Sequence, residues 1–217
     1  MSDESTERGP RTSAVATGRG DDGTTGLLFG GDRIPKDDLR TEAYGSLDEA
    51  VAALGLARAE LELKRQLDVP PPALDEIAAL NLRIQRELFV VGAELAANPT
   101  AWDHLREGTT MVSAAMVAGI DGILADFELR IAFPSEFVVP GETRTSAALE
   151  LARTILRRAE RRAVTLERAD LVPGPHLLPY LNRLADLLWV LARAAEQAEA
   201  RPSTAVRTGD RRSGGAA

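Results

Sequence analysis

Apolar residues recur at intervals of three and four positions along most of this chain, and that interval is the repeat of one face of an α-helix. The pattern predicts five helices, while the alternating patterns typical of strands are almost absent. The predicted helices run from a cap at Asp37 or Asp38 to about Leu67, through Ile77–Leu95, from Thr109 or Thr110 to about Ile131, from Thr143 or Thr145 to about Ala169, and over about His176–Ala200.

Proline and glycine mark the places where the helical pattern stops. The breaks are Pro70–Pro72, a loop over residues 98–108, an extended link over Phe133–Val139, and Pro173–Pro175. Because these connections are short, successive helices are expected to run in opposite directions. The fold class that this predicts is all-α, an antiparallel five-helix bundle.

The two ends of the chain lack this periodicity. Residues 1–16 and 201–217 are rich in Ser, Thr, Gly, Arg and Pro, a composition typical of flexible segments. We therefore expect a flexible lead-in over 1–16, one helical domain over 17–200 that begins with a glycine-rich loop, and a flexible tail over 201–217.

Composition narrows the function. Of the 217 residues 44% are hydrophobic, enough for a sizeable core, and a net charge of -7 with only 4% aromatic residues argues against a nucleic-acid or anionic-membrane binder. The chain has no cysteine and its only histidines are His104 and His176, which excludes thiolate and multi-histidine metal sites. A polar, acidic start and the absence of a bilayer-spanning apolar run predict a cytoplasmic protein.

The segment before the first helix is rich in glycine and threonine. Residues 17–38 read TGRGDDGTTGLLFGGDRIPKDD. Such a segment offers backbone N–H groups, hydroxyl donors and positive φ, so it can wrap a polyphosphate, with Arg19 and Lys36 supplying charge. The alternative is a mobile surface loop that binds nothing, because the segment matches neither a Walker A loop nor a Rossmann fingerprint.

The fourth predicted helix carries an unusual concentration of arginine. Arg153, Arg157 and Arg161 recur every four residues and share one face, where like charges repel. Something anionic is therefore expected opposite them. A triphosphate suits this face, and so do carboxylates of neighbouring helices, namely Asp48, Glu49 or Asp186. On the fifth helix, Asn182 can either fix the helix register or hydrogen-bond a nucleotide.

Five motifs that follow the glycine-rich segment resemble, in order and spacing, those of the PduO-type corrinoid (cob(I)alamin) adenosyltransferases. They are EAYGSLDE (Glu42–Glu49), IQRELFVVGAELA (Ile84–Ala96), FVVPG (Phe137–Gly141), ALELARTILRRAERR (Ala148–Arg162) and YLNRLADLLWVLAR (Tyr180–Arg193). The resemblance covers roughly residues 17–195, and the RRAERR and YLNRL motifs are specific in combination.

The resemblance implies a fold, an activity and partners. Members of that family are five-helix bundles that assemble as homotrimers, with active sites between adjacent subunits. They transfer the 5′-deoxyadenosyl group of ATP to the cobalt of a reduced corrinoid and release triphosphate, with Mg²⁺ bridging the phosphates. The expected partners are thus ATP and cobalamin, a reductase and an adenosylcobalamin-dependent enzyme, without nucleic acid or membrane.

The resemblance also implies residue roles. Arg153 would pair with Asp48 across the subunit boundary, and Phe137 would press on the lower face of the corrin ring. The residues expected to line the phosphates are Thr17, Gly18, Arg19, Gly20, Thr25 and Lys36. Those expected to complete the nucleotide site are Arg157, Arg158, Glu160, Arg161 and Asn182.

One departure keeps two alternatives open. The family's TRTGD reads TGRGD here, so its arginine and second threonine are replaced by Gly18 and Arg19. This difference favours a catalytically impaired relative that binds corrinoid or ATP as a carrier or regulator. The other alternative is a purely structural trimeric bundle whose arginines are neutralised by internal salt bridges.

Overall fold

A computed structural model describes residues 15–67 and 71–207, and within them the chain is mainly helical, as predicted. Five α-helices are present in this part of the chain. They are α1 (Leu39–Leu67), α2 (Pro72–Ala96), α3 (Ala114–Arg130), α4 (Arg144–Glu167) and α5 (Leu177–Ala198). None of the described helices is both long enough and apolar enough to cross a bilayer.

The described residues also form two small antiparallel sheets that the sequence does not predict. β1 (Thr24–Thr25) pairs with β2 (Ile34–Pro35) in the glycine-rich segment. β3 (Val138–Val139) lies in the predicted extended link and pairs with β4 (Thr204–Ala205), which lies in the predicted tail. The purely helical expectation therefore misses a strand pair within the glycine-rich segment and a second pair that ties residues 204–205 to the link before α4.

Side-chain caps set the starts of two helices as the sequence predicts. The carboxylate of Asp38 accepts a hydrogen bond from the N–H of Arg40 at 2.8 Å, which caps α1. Thr143 and Ser146 form a reciprocal capping box at the start of α4, with distances of 3.0 and 3.2 Å. Each cap satisfies backbone N–H groups that have no partner within the helix.

The third helix begins later than predicted. Its cap is Ser113 rather than Thr109 or Thr110. Those two threonines belong to a tight turn in which the carbonyl of Arg106 accepts their N–H groups, and Gly108 has a φ of +73°. The preceding loop is not irregular throughout, because it contains a 3-10 helix over Pro99–His104 that is capped by Asn98.

Contacts between helices give their relative directions. On α1, Glu42 pairs with Arg162 and Glu60 with Arg144, so α1 and α4 run in opposite directions. Gln85 donates to the carbonyl of Val51 at 3.0 Å, and Asn81 donates to the carbonyl of Leu54 at 3.0 Å, so α2 runs opposite to α1.

α1 and α4 form the most extensive helix pair among the described residues. The reason is their small side chains, which allow close approach and dispersion contacts. The buried alanines on the two helices are Ala43, Ala50, Ala53 and Ala57 on α1, and Ala148, Ala152, Ala159 and Ala163 on α4.

One buried carboxyl, that of Glu94 near the end of α2, contacts the segments before α3 and before α5. Glu94 is fully buried and accepts a hydrogen bond from the N–H of Val112 at 2.7 Å. Its other oxygen faces Gly174 so closely that a Cβ at that glycine would lie 2.6 Å away. Burial raises the pKa of Glu94 to about 7, and the N–H groups of Val112 and Gly174 oppose that rise.

Because its pKa is raised, Glu94 makes the free energy of unfolding depend on pH. The folded protein keeps the Glu94 proton up to about pH 7, whereas the unfolded chain releases it above about pH 4.5. The contribution of Glu94 to the free energy of unfolding is therefore largest in acid, and up to about 3 kcal/mol of it is lost between those pH values. Urea titrations at pH 5, 6, 7 and 8 should show a flatter pH dependence in Glu94→Gln.

The matched control is Glu62→Gln, since the Glu62 side chain is 57% exposed. Its unfolding free energy should follow the wild-type pH dependence. If Glu94→Gln followed that dependence equally closely, Glu94 would not be the titrating group.

Candidate functional site

A cavity of about 710 Å³ opens between the Phe133–Val139 link, α4, α5 and the C-terminal residues. Its apolar wall includes Phe137, Trp189 and Val206, and its polar wall includes Arg153 and Arg157. A cavity with an apolar wall and a few charged groups at one side is the usual form of a small-molecule site.

Phe137 is the most exposed aromatic side chain at this cavity, with 88% of its surface accessible. It precedes β3 directly, and its carbonyl accepts the N–H of Val206 at 2.8 Å. The backbone at Phe137 is thus fixed by the two-stranded sheet while the ring projects into the opening. An exposed aromatic ring on a fixed backbone suits contact with a flat apolar ligand.

The arginines of α4 are divided between two sides of the helix. Arg158 pairs with Glu49 and Arg162 with Glu42, both on α1. This is the internal neutralisation that the sequence left open as an alternative. It applies to only part of the cluster.

Arg153 and Arg157 lie on the other side of α4, in the cavity wall. Arg153 donates to Glu150 at 2.6 Å, and Glu150 lies one helical turn before it. Arg157 is exposed and has no carboxylate partner within residues 15–67 and 71–207. Its guanidinium is therefore available to an anion from outside the described chain.

The remaining predicted nucleotide residues lie on exposed or half-exposed positions. Arg161 is exposed and donates to the carbonyl of Arg157 at 3.0 Å. Asn182 is exposed on α5, and Glu160 is half-buried. Neither Asn182 nor Glu160 has an ion pair or a side-chain hydrogen bond within the described part of the chain. Both side chains are therefore available to a ligand.

Lys36 lies against the backbone of the glycine-rich segment, beside Gly20 and Gly23. The N–H of Lys36 donates to the carbonyl of Gly23 at 2.9 Å. A Cβ at Gly20 would lie only 2.9 Å from the Lys36 ammonium, so glycine lets the lysine approach the backbone. Gly18 and Gly23 have φ values of +64° and +78°, which glycine adopts without strain.

Arg33 holds this loop together, a role that no pattern in the sequence predicts. Its guanidinium donates to the hydroxyl of Thr24 at 2.6 Å and to the carbonyls of Arg19 and Thr24 at 2.8 Å. An arginine with several donors can fix a loop that lacks a hydrophobic core of its own. In the sequence, the only sign of this role is a basic residue in the same segment as the threonines.

The loop is anchored to α1 and to the end of α2. Leu28 exchanges backbone hydrogen bonds with the α2 end, donating to Ala96 at 2.8 Å and accepting from Asn98 at 3.0 Å. Thr25 forms a side-chain hydrogen bond with Tyr44 of α1, and burial raises the pKa of the Tyr44 hydroxyl. The loop therefore has a fixed position relative to both helices.

The loop lies on one side of α1, and the interface between α1 and α4 lies on another side. Tyr44, which contacts the loop, is two residues from Glu42, which contacts α4, so the two side chains point about 200° apart. Asp48 is one turn beyond Tyr44 on the loop side, and it has no ion pair within the described residues. Asp48 and Arg153 are not paired with each other in the chain.

Metal binding has little support from protein side chains alone. Among residues 15–67 and 71–207, no group of three or more His, Asp or Glu side chains is arranged to hold an ion. A Mg²⁺ ion held mainly by substrate phosphates and water does not require such a group.

Comparison with known proteins identifies the family. Residues 15–195 match the family described as cobalamin adenosyltransferase. A cobalamin adenosyltransferase from Cupriavidus metallidurans is 39% identical over 191 residues, which are 88% of this chain and 92% of that protein. A corrinoid adenosyltransferase from Bacillus subtilis is 38% identical over 178 residues, 82% of this chain and 83% of the relative.

Solved structures similar to this chain are also corrinoid adenosyltransferases. A phenylalanine-to-histidine variant of a PduO-type ATP:corrinoid adenosyltransferase from Lactobacillus reuteri, complexed with cobalamin and ATP, has a TM-score of 0.74 at 25% identity and covers 90% of this chain and 98% of that one. An arginine-to-lysine variant complexed with ATP has a TM-score of 0.74 at 27% identity and covers 89% and 100%. The chain therefore belongs to the cobalamin adenosyltransferase family.

Proposed function

We propose that this protein transfers the 5′-deoxyadenosyl group of ATP to the cobalt of cob(I)alamin. Cobalt(I) attacks C5′ of the ribose, a cobalt–carbon bond forms, and the C5′–O bond breaks. The electron pair of that bond leaves with triphosphate, so no proton transfer is needed. The protein has to align cobalt with C5′ and to stabilise the negative charge on the leaving group.

The cavity supports a corrinoid position beside Phe137. Its apolar wall suits the corrin ring, while Glu136, Asp186 and Arg207 at its edge can hydrogen-bond the amide side chains of the ring. The exposed phenyl ring of Phe137 can occupy the space of the lower axial ligand of cobalt. Cobalt(II) without that ligand is easier to reduce to the nucleophilic cobalt(I).

The Lactobacillus reuteri structures support the roles proposed for Phe137 and Arg157. Their variants change a phenylalanine and an arginine that are twenty residues apart in that protein. Phe137 and Arg157 of this chain are also twenty residues apart, and both line the same cavity. This shared spacing is the observation that carries the proposal for the ring contact of Phe137 and the nucleotide contact of Arg157.

We assign the phosphates to the loop. Thr17, Gly18, Gly20 and Thr25 would line the phosphates, and Lys36 and Arg19 would supply charge. The change from TRTGD to TGRGD moves the arginine by one position, and Arg19 is exposed. Mg²⁺ would enter with ATP and would offset part of the phosphate charge, alongside Lys36 and Arg19.

We further propose that the five helices act as a bundle in a homotrimer with its active sites between subunits. The loop and Asp48 lie on one side of α1, while Arg153 and Arg157 line a cavity between α4 and α5. Asp48 of one copy would then pair with Arg153 of the next. A complete site would need the loop of one subunit and the cavity of its neighbour.

The proposal includes a cellular setting. A reductase would supply the cobalt(I) form and an adenosylcobalamin-dependent enzyme would use the product, in the cytoplasm. The carrier or regulator alternative predicts binding of ATP or corrinoid without a cobalt–carbon bond. A spectrum recorded with ATP and cobalamin under a strong reductant distinguishes the two.

Arg157→Ala should lower kcat/KM for ATP by about 10- to 100-fold, because a charge-assisted hydrogen bond is worth about 1.5–3 kcal/mol. The melting temperature should change little, since Arg157 is exposed and has no ion pair among the described residues. Arg162→Ala is the matched control, because it removes an arginine that pairs with Glu42 of α1. If Arg157→Ala melts the protein and leaves kcat/KM unchanged, Arg157 is structural.

Phe137→Ala should impair adenosylation that starts from cobalt(II) more than adenosylation of cobalt(I) reduced beforehand. The ring is 88% exposed, so its removal should alter the unfolding free energy by less than about 0.5 kcal/mol. Leu129→Ala, which removes an equally exposed apolar side chain from α3, should affect neither reaction. Equal losses from both starting states in Phe137→Ala would contradict the exclusion of the lower ligand.

A further inference from the structure

Behind the cavity wall lies a buried guanidinium for which the reaction provides no direct role. Arg193 of α5 is completely buried. It donates from Nε and Nη2 to the two carboxylate oxygens of Glu196 at 2.8 and 2.6 Å, and from Nη1 to Glu150 at 3.1 Å. Glu196 is also completely buried, and Glu150 is 3% exposed.

Stability alone does not explain this cluster. Removing charges from water costs free energy, and apolar residues of similar volume often replace a buried ion pair without loss of stability. The four charges of Glu196, Arg193, Glu150 and Arg153 balance, and each is linked to the next by a hydrogen bond. A chain of bonds that begins in the core and ends at the cavity can fix the position of its last member.

Arg193 connects to three parts of the cavity. Through Glu150 it reaches Arg153. Arg153 donates a hydrogen bond to Glu150 at 2.6 Å and has no other ion-pair partner among the described residues. Its guanidinium carbon lies 5.5 Å from the ring centroid of Trp189, in the apolar wall. The third connection runs through Glu196.

Glu196 links the cluster to the C-terminal residues. It accepts a hydrogen bond from the hydroxyl of Ser203 at 2.5 Å. Ser203 directly precedes β4, which pairs with β3 beside Phe137, and Val206 and Arg207 follow in the cavity wall. One buried side chain thus contacts the α4 and α5 walls of this cavity directly and is linked through Glu196 to its C-terminal wall.

We infer that Arg193 is a positioning residue for the corrinoid site. It fixes the carboxylate of Glu150 and thereby the guanidinium of Arg153, and through Glu196 it holds the C-terminal wall in place. Arginine side chains lose rotamer freedom when they become ordered, so ordering Arg153 in advance reduces the cost of binding. This inference rests on the proposed function, because it takes the cavity as the corrinoid site.

The main test is a charge-balanced double variant, Arg193→Met with Glu196→Gln. It removes one positive and one negative charge, leaves Glu150 paired with Arg153, and avoids an unpaired buried charge. We expect the KM for cob(I)alamin to rise about tenfold, with the KM for ATP and kcat changing less than about twofold, since a less ordered wall weakens binding of one substrate.

The matched control is Arg130→Met with Glu76→Gln, a pair joined by two hydrogen bonds on α3 and α2, away from the cavity. This control should leave both KM values unchanged. Arg193→Lys keeps the charge but loses the forked geometry, so it should give an intermediate KM for cob(I)alamin. Ser203→Ala, which breaks only the link to the C-terminal wall, should raise that KM by about threefold.

A readout without turnover uses the two tryptophans of the chain, Trp102 and Trp189. In a Trp102→Phe background, the emission of Trp189 reports on the cavity wall. The Arg193 and Glu196 double variant should shift this emission and lower its anisotropy, whereas the control pair should not.

The outcomes separate the inference from the proposed function. If the double variant folds and keeps the wild-type KM for cob(I)alamin, the positioning role is overturned. It is also overturned if both KM values rise equally together with a lower melting temperature, because the cluster is then structural. If the wild-type protein forms no cobalt–carbon bond, the proposed function itself fails, while the Trp189 measurement still tests whether Arg193 orders the wall.

Discussion

The close packing of α1 against α4 is the constraint on which the other features depend. Alanines on both helices let them approach, so the arginines of α4 cannot lie in the interface and have to point to its edges. Arg158 and Arg162 meet carboxylates of α1 at one edge. Arg153 and Arg157 project into the cavity at the other edge, where Glu150 and Asp186 also line the wall.

This division lets one arginine-rich helix supply both ion pairs to α1 and side chains to the proposed site. The sequence shows one cationic face and offers two explanations for it, an external anion or internal salt bridges. The internal salt bridges apply to Arg158 and Arg162, and we propose the external anion for Arg157. The pairs with α1 help to fix the register of α4, and the fixed register determines where Arg153 and Arg157 lie relative to Phe137. The ion pairs between α4 and α1 thereby influence the geometry of the cavity, although they do not line it.

Periodicity was enough to predict the helices, because each buries an apolar stripe that repeats every three to four residues. It could not predict the start of α3, since Thr109 and Thr110 are good capping residues and only the turn at Gly108 removes them from that role. The roles of Arg33 and Arg193 depend on partners distant in sequence. The family motifs pointed to Phe137 and Arg157, whereas nothing local indicated that Ser203 reaches Glu196.

The central claim is that the loop of one subunit and the cavity of another complete each active site. Co-expression of Lys36→Ala and Arg157→Ala chains with different tags, followed by purification through both tags, isolates mixed assemblies. In a cyclic trimer with head-to-tail contacts, every mixed assembly contains one intact site out of three, so we predict about one third of the wild-type adenosylation activity. Activity no higher than that of either variant alone would contradict the account, because it would place the loop and the cavity of each site in the same chain.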